Sequence, residues 1–199
     1  INFNRRMDAA VATETIYEKE ILGYFIEPAI KKNEIYRFET LVSTPTSALL
    51  SDAGTDYPDW VSERYLQLPE DLPQRVVELS AEITKGKLTP YDKVAAITQY
   101  LRANYEYQSV IPSPPRKADP VDWFLFEFKK GFCNYFASAE VLLLRSAGIP
   151  ARLAVGYAQG APATSGEGIT LLKEDSHAWP EVYFPGYGWI AFEPTGSLP

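Results

Sequence analysis

The chain has 199 residues, 46% of them hydrophobic and 23% charged, with a formal net charge of -7. That composition fits a soluble globular protein of one sizeable domain, or a domain with a small accessory unit. An acidic chain with no basic run is a poor partner for nucleic acid or an anionic membrane surface, and no stretch approaches the ~18 apolar residues of a membrane span. One cysteine and one histidine are present, so no intrachain disulfide can form and any Cys–His chemistry has a single candidate pair. The chain begins at Ile1 and shows no signal peptide, as expected of a fragment of a longer protein.

Residues 1–60 read as a β-rich N-terminal segment and residues 61–199 as the main core. Ala12 to Phe25 and Ile35 to Val42 carry β-branched and aromatic residues in loose alternation, with Pro28 and Asn33 between them. Arg5 to Val11 can alternatively begin as helix. Ser43 to Ser47 reads as a connector, 51–58 as a loop and 59–65 as a short helical turn. From Pro69 the apolar period becomes helical. A helix opens at Leu72-Pro73, runs to about Lys85 and stops at Gly86. A second starts with Thr89 as N-cap and Pro90 in its first turn, with Val94, Ile97 and Leu101 at helical spacing. Four prolines between Ile111 and Pro120 predict an extended loop.

Cys133 to Ala147 is apolar on nearly every side, which predicts a helix buried in the middle of the domain and ended by Gly148 and Pro150. Arg152 to Tyr157 alternates as a strand, and Ala158 to Gly168 is small and flexible in composition, a surface loop. His177 to Phe184, a Pro185-Gly186-Tyr187-Gly188 turn and Trp189 to Phe192 form a β-hairpin. Cys133 thus opens a helix, where free backbone N–H groups and the positive end of the dipole favour a thiolate and can hold an oxyanion. His177 is the one imidazole that could serve as its base. Such a base needs a carboxylate to set its tautomer and stabilise the imidazolium. Glu193, at the end of the paired strand, can reach back across the hairpin; Glu174, Asp175 and Glu181 are rivals that spacing does not eliminate. Taken singly, a cysteine is most often a small buried hydrophobe and a histidine a surface or satisfied core residue.

Three ordered segments carry a family likeness. Gly131-Phe132-Cys133-Asn134-Tyr135-Phe136-Ala137, followed by Leu143 to Arg152, resembles the nucleophile helix of the transglutaminase-like superfamily. Gly156-Tyr157 resembles the end of the strand that follows it. His177-Ala178-Trp179 with Glu181-Val182-Tyr183, then Gly188-Trp189-Ile190 and Phe192-Glu193-Pro194-Thr195, resemble the histidine and acid strands. The resemblance covers roughly 70–196, and Pro69 to Tyr107 looks like the paired helices that precede the core in bacterial members. It implies an α+β, papain-like fold with the nucleophile helix on an antiparallel sheet. It implies Cys133 as nucleophile, His177 as acid and base, and Glu193 as orienting carboxylate. The expected activity is acyl transfer on amide or peptide bonds through a thioester, as protease, amidase or transglutaminase, with no cofactor and no metal. The expected partner is a peptide or protein substrate, cell-wall peptide included. Membrane contact is not expected of this fragment, although bacterial relatives place such domains outside the cytoplasm on membrane-anchored chains. A non-catalytic peptide-binding or scaffolding module on the same fold is the alternative.

The chain departs from the family twice. Glu193 stands where many members have Asp. Pro180 falls inside the histidine strand, where a missing ladder donor predicts an edge position or a bulge. Tyr105, Tyr107 and Trp123 precede the nucleophile and are weaker candidates as oxyanion donors, with packing as their default role. Trp179 is expected to shield the site from water.

Overall fold

The computed structural model describes residues 11–17, 20–27, 43–157, 161–162, 169–170, 172 and 175–196; for 11–17, 20–27, 161–162 and 169–170 it describes backbone alone. The chain divides into two compact units, Ile1–Thr44 and Pro45–Pro199. In the first, β1 (Val11–Tyr17) and β2 (Glu20–Glu27) pair antiparallel, with a register irregularity between Thr15 and Ile16. The strand expected over 35–42, and the helical alternative for the residues before Val11, lie outside the described residues. The division falls before residue 60 because 45–60 belong with the second unit. There α1 (Ser47–Ser51) forms between the expected connector and loop: Thr46 Oγ1 accepts the Leu49 N–H at 3.4 Å, and Leu50 joins the core.

Capping residues place the next helices close to where they were expected. Helix α2 (Asp59–Tyr65) is followed by α3 (Gln74–Thr84) and α4 (Pro90–Asn104). Thr89 Oγ1 accepts the Asp92 N–H at 3.1 Å, and Pro90 occupies the first helical position, where a missing N–H leaves nothing unpaired. Val94, Ile97 and Leu101 of α4 are fully buried. The proline loop leads to a feature that apolar periodicity did not reveal. Helix α5 (Pro120–Asp122) runs into a π-helical stretch, Trp123–Phe128, which ends at Lys129 in the left-handed region (φ 59°). Arg75 of α3 clamps this stretch, with bonds of 2.6 Å to each Asp122 oxygen and 2.9 Å to Glu127, and with its guanidinium over the Phe126 ring. Short parallel strands β3 (Glu106–Tyr107) and β4 (Lys130–Gly131) then set the entry to α6 (Cys133–Ser146).

Helix α6 is the centre of the unit. Phe136, Ala137, Ala139, Leu143 and Leu144 are fully buried, and α3, α4 and two strands pack around the helix. Ser80 of α3 donates to the Leu143 carbonyl at 2.6 Å, locking the two helices together. Strand β5 (Ala151–Tyr157) follows. The loop expected over 158–168 includes β6 (Ala161–Pro162), which pairs antiparallel with β7 (Ile169–Thr170) just beyond it. Strands β8 (Ser176–Phe184) and β9 (Gly188–Ala191) complete an antiparallel sheet in the order β5–β8–β9. Helix on antiparallel sheet is the α+β arrangement the sequence led us to expect.

The expectation for Pro180 is corrected. It sits in the central strand, and the β5–β8 register runs unbroken from Ala151↔Val182 to Tyr157↔Ser176. A residue in an antiparallel strand aims its N–H and C=O at the same neighbour. The Pro180 carbonyl accepts from the Phe192 N–H at 3.0 Å, so its missing donor points at a residue just beyond the end of β9. The ladder is already ending there, and neither a bulge nor an edge position is required.

Gly131 closes β4 just before α6, where its neighbours pack tightly against the backbone. A Cβ at this buried position would lie 2.9 Å from Tyr135 Cβ and 3.0 Å from the Phe124 ring. Gly131→Ala is therefore expected to destabilise the protein by about 1–3 kcal/mol, as overpacking does, measured by urea denaturation. An unchanged midpoint would show that the entry to α6 tolerates the extra methyl.

Candidate active site

Cys133 is the first residue of α6 and is partly exposed. The N-cap, Phe132, is extended and has no side-chain acceptor, so the first-turn N–H groups are left to the solvent side. Tyr135 and Phe136 reach back to the Phe132 carbonyl at 2.9 and 3.4 Å. The thiol donates to Asn134 Oδ1 at 3.4 Å, a contact the sequence reading missed. Among the described residues no hydrogen bond joins Cys133 to His177.

His177 and Glu193 are brought together. Strand β8 holds His177 opposite Gly156, and its Nε2 lies 2.6 Å from Glu193 Oε2. Glu193 Oε1 accepts the Thr195 N–H at 2.8 Å, and Arg102 of α4 donates to the Glu193 backbone carbonyl at 3.0 Å. The carboxylate is therefore held at both oxygens and through its backbone. Its rivals are engaged elsewhere: Asp175 accepts the Leu172 N–H, and Glu181 pairs with Arg152 directly across the sheet at 2.7 Å. Glu174 lies outside the described residues. With Nε2 committed to Glu193, Nδ1 is the ring nitrogen left for a thiol.

Trp179 lies beside this pair, its ring 6.0 Å from the imidazole and tilted from it by 22°. Tyr157, His177, Trp179, Ala191, Phe192 and Glu193 line a cleft of about 300 Å³. The indole fits because residue 156 is glycine: a Cβ there would come within 2.8 Å of Trp179 Cη2. The weaker candidates have structural partners. Tyr105 is buried and donates to the Leu125 carbonyl at 3.0 Å, Trp123 stacks on Phe128 at 4.5 Å, and Tyr107 pairs with Gly131 in the β3–β4 ladder. Among the described residues no three of His, Cys, Asp and Glu converge on a metal-sized site.

This arrangement has recognisable relatives. The family model of the transglutaminase-like superfamily matches residues 77–194, more than half of the chain and all of the elements just described from α4 to Glu193. The chain belongs to the transglutaminase-like superfamily. YebA of Bacillus subtilis (strain 168), an uncharacterised protein, is 46% identical over 141 residues, 67% of this chain and 19% of its own length. A protein-glutamine gamma-glutamyltransferase of Pseudomonas aeruginosa is 38% identical over 133 residues, 66% of this chain and 20% of its own length. The chain thus spans about a fifth of the curated relatives it matches. The crystal structure of the periplasmic domain of TgpA from Pseudomonas aeruginosa aligns with a TM-score of 0.63 at 34% identity, over 70% of this chain and 48% of that one. Among the described residues of this superfamily member, no helix is long and apolar enough to cross a membrane.

One charged residue interrupts the buried circumference of α6. Glu140, fully buried between Ala139 and Val141, was legible only as an acid in an otherwise apolar run. Burial pushes its carboxyl up to about 8; the hydrogen bond from Thr98 opposes that shift, and the charge of Glu193 adds to it. The sign of the resulting stability effect follows. The folded value lies above the ordinary 4.5, so the folded state keeps a proton that the unfolded state has lost. Stability from this group is complete below about 4.5, falls as pH rises, and levels off above about 8. Glu140→Gln removes that slope. The difference in unfolding free energy between the two ends of the window is expected to shrink by on the order of a few kcal/mol. Urea denaturation across the window checks it, and parallel curves for the two proteins would contradict it.

Proposed function

We propose that this domain catalyses cysteine-dependent acyl transfer on amide or peptide bonds, with Cys133 as nucleophile, His177 as base and acid, and Glu193 as the carboxylate that orients the imidazole. The observation that carries this reading is the His177 Nε2–Glu193 Oε2 contact of 2.6 Å, which turns Nδ1 free for the thiol of a chain in this superfamily. On this reading the Cys133 thiol leaves Asn134 and pairs with Nδ1 when substrate binds, since catalytic hydrogen bonds often tighten only then.

The thiol proton passes to Nδ1 and the sulfur attacks the carbonyl carbon. The oxyanion so formed takes N–H bonds from the first turn of α6. As the intermediate collapses, the C–N bond breaks and the leaving amine takes the proton from the imidazolium. A thioester remains on Cys133. Water or a second amine, deprotonated by Nδ1, then attacks the thioester and regenerates the thiol. Water gives hydrolysis and an amine gives transamidation. The activity named for the Pseudomonas relative makes a protein glutamine carboxamide the first acyl donor to try, and cell-wall peptides the second. The periplasmic origin of the TgpA domain supports an extracytoplasmic location; a membrane-anchored chain rests on the likeness to bacterial members of the family.

A non-catalytic peptide-binding module is the competing reading, and the bond from the Cys133 thiol to Asn134 rather than His177 speaks for it. Alkylation by iodoacetamide at neutral pH separates the two. The catalytic reading expects Cys133 to react faster than a free thiol, and His177→Ala to slow it to the rate of a free thiol. Ammonia release and amine incorporation on glutamine peptides should fall by at least about 1,000-fold in Cys133→Ala and His177→Ala, and by at least about tenfold in Glu193→Gln. An alkylation rate untouched by His177→Ala would remove the triad assignment.

A further inference from the structure

Strand β5 is an edge of the β5–β8–β9 sheet, and the ladder tells which of its backbone groups face outward. The Tyr183 N–H donates to the Pro150 carbonyl at 3.0 Å, one pair beyond Ala151↔Val182. Bonded and non-bonded pairs alternate along an antiparallel ladder. The bonded pairs are therefore Arg152↔Glu181, Ala154↔Trp179 and Gly156↔His177. The N–H and C=O groups of Ala151, Leu153, Val155 and Tyr157 point the other way, off the sheet. Two contacts agree with this. Arg145 Nε of α6 reaches the Ala151 carbonyl at 2.9 Å, and Pro180, opposite Leu153, accepts from Phe192 on the side away from β5.

Arg145 covers the beginning of this edge and leaves the rest open. Among the described residues, no backbone partner is found for the outward groups of Leu153, Val155 or Tyr157. Their side chains share one face of the strand and are 46%, 74% and 57% exposed, whereas Ala151 is buried. Edges are ordinarily blunted by lysine, proline or a bulge. Strand β5 has none of these: its register is unbroken, and its one charged residue, Arg152, is turned to Glu181. Such an edge fits a second extended backbone with apolar side chains at alternate positions.

The edge also runs into the candidate active site. Gly156 pairs with His177, and Tyr157 lines the cleft with His177, Trp179 and Glu193. At about 300 Å³ that cleft is at the small end of ligand sites, enough for the reacting part of a peptide but not for its flanks. We propose that β5 is the docking edge for the acyl donor: an extended peptide segment adds to the sheet beside β5, pairs with the backbone of Leu153, Val155 and Tyr157, and passes Tyr157 into the cleft. The proposal rests on the reading of Cys133, His177 and Glu193 given above, and it narrows the substrate to amides carried on extended polypeptide. A small amide, or one held within a helix, lacks the strand that the edge requires. Continuity with the cleft selects substrate over a second copy of this chain as the occupant.

The test uses the whole chain carrying Cys133→Ala, so that nothing turns over. The probe is a peptide of about ten residues with Val at alternate positions, Lys between them and one Gln. In the free chain the amides of Leu153, Val155 and Tyr157 should exchange with solvent faster than those of Arg152, Ala154 and Gly156, which the ladder holds. The peptide should slow the first set by at least about tenfold. N-methylation of alternate peptide amides separates strand pairing from apolar contact alone. In one phase it removes the bonding N–H groups and should weaken binding by at least about tenfold; in the other phase the methyl groups point away and binding should persist. Val155→Pro deletes an edge donor but no ladder bond, and should weaken binding by at least about fivefold. Equal binding of the two methylated peptides overturns the proposal, as does unchanged binding to Val155→Pro. An edge already protected in the free chain, by a second copy or by another segment, overturns it too, and so does a probe that leaves the three amides unprotected. Should Val155→Pro fail to fold, the methylated peptides and amide exchange decide. With the parent chain, KM for ammonia release from the Gln peptide should follow the methylation phase in the same way. Phase-dependent binding without ammonia release would overturn the catalytic reading and uphold the docking edge. Release indifferent to phase would overturn the docking edge and uphold the catalysis.

Discussion

Helix α6 must bury almost its whole circumference and still present its first residue to solvent. The rest of the unit is arranged around that requirement. Helices α3 and α4 cover one flank and the β5–β8–β9 sheet another, and Ser80 ties α3 to the Leu143 carbonyl so that the helix cannot slide along its axis. At the other end, Arg145 donates to the carbonyls of Ala151 and Gln67, which anchors the last turn to both the sheet and the segment after α2. Cys133, at the start of this helix, is thus mounted on a buried element, and its N-cap residue brings no side-chain acceptor to the first-turn N–H groups.

The approach to Cys133 is equally constrained. The π-helical stretch, clamped by Arg75, delivers the chain to Gly131, where Phe124 and Tyr135 leave no room for a side chain. In the sheet Gly156 makes room for Trp179, and the indole lies alongside His177. Both glycines are needed because other groups approach too closely for a Cβ, not because of an unusual backbone angle. The two sides of the site are thus shaped by the same device, a missing side chain next to a large aromatic ring.

Charge in the site is distributed with similar economy. Glu193 has each oxygen committed, one to His177 and one to the Thr195 amide, and its backbone carbonyl receives Arg102. On α6 a second acid, Glu140, is fully buried and hydrogen-bonded to Thr98. Burial disfavours the charged form of Glu140 and pushes its carboxyl up to about 8.

Much of this was legible in the sequence by itself, wherever the determining contacts are local. The Thr89–Pro90 cap, the apolar run after Cys133 and the hairpin from His177 to Phe192 depend on neighbours three or four positions away in a helix, or two in a strand. The order of the cysteine, histidine and acid motifs was enough to indicate the superfamily. Spacing left Glu193, Asp175 and Glu181 open and the family resemblance pointed to Glu193; the tertiary structure adds that Glu193 is the one lying at Nε2 of His177, with Asp175 and Glu181 engaged elsewhere. It also decided the place of Pro180, whose missing donor is harmless only because β9 has already ended. It decided the raised carboxyl of Glu140 too, since desolvation depends on what surrounds a residue in space. Periodicity registers which face of a helix is apolar; it carries no information about what that face is turned toward.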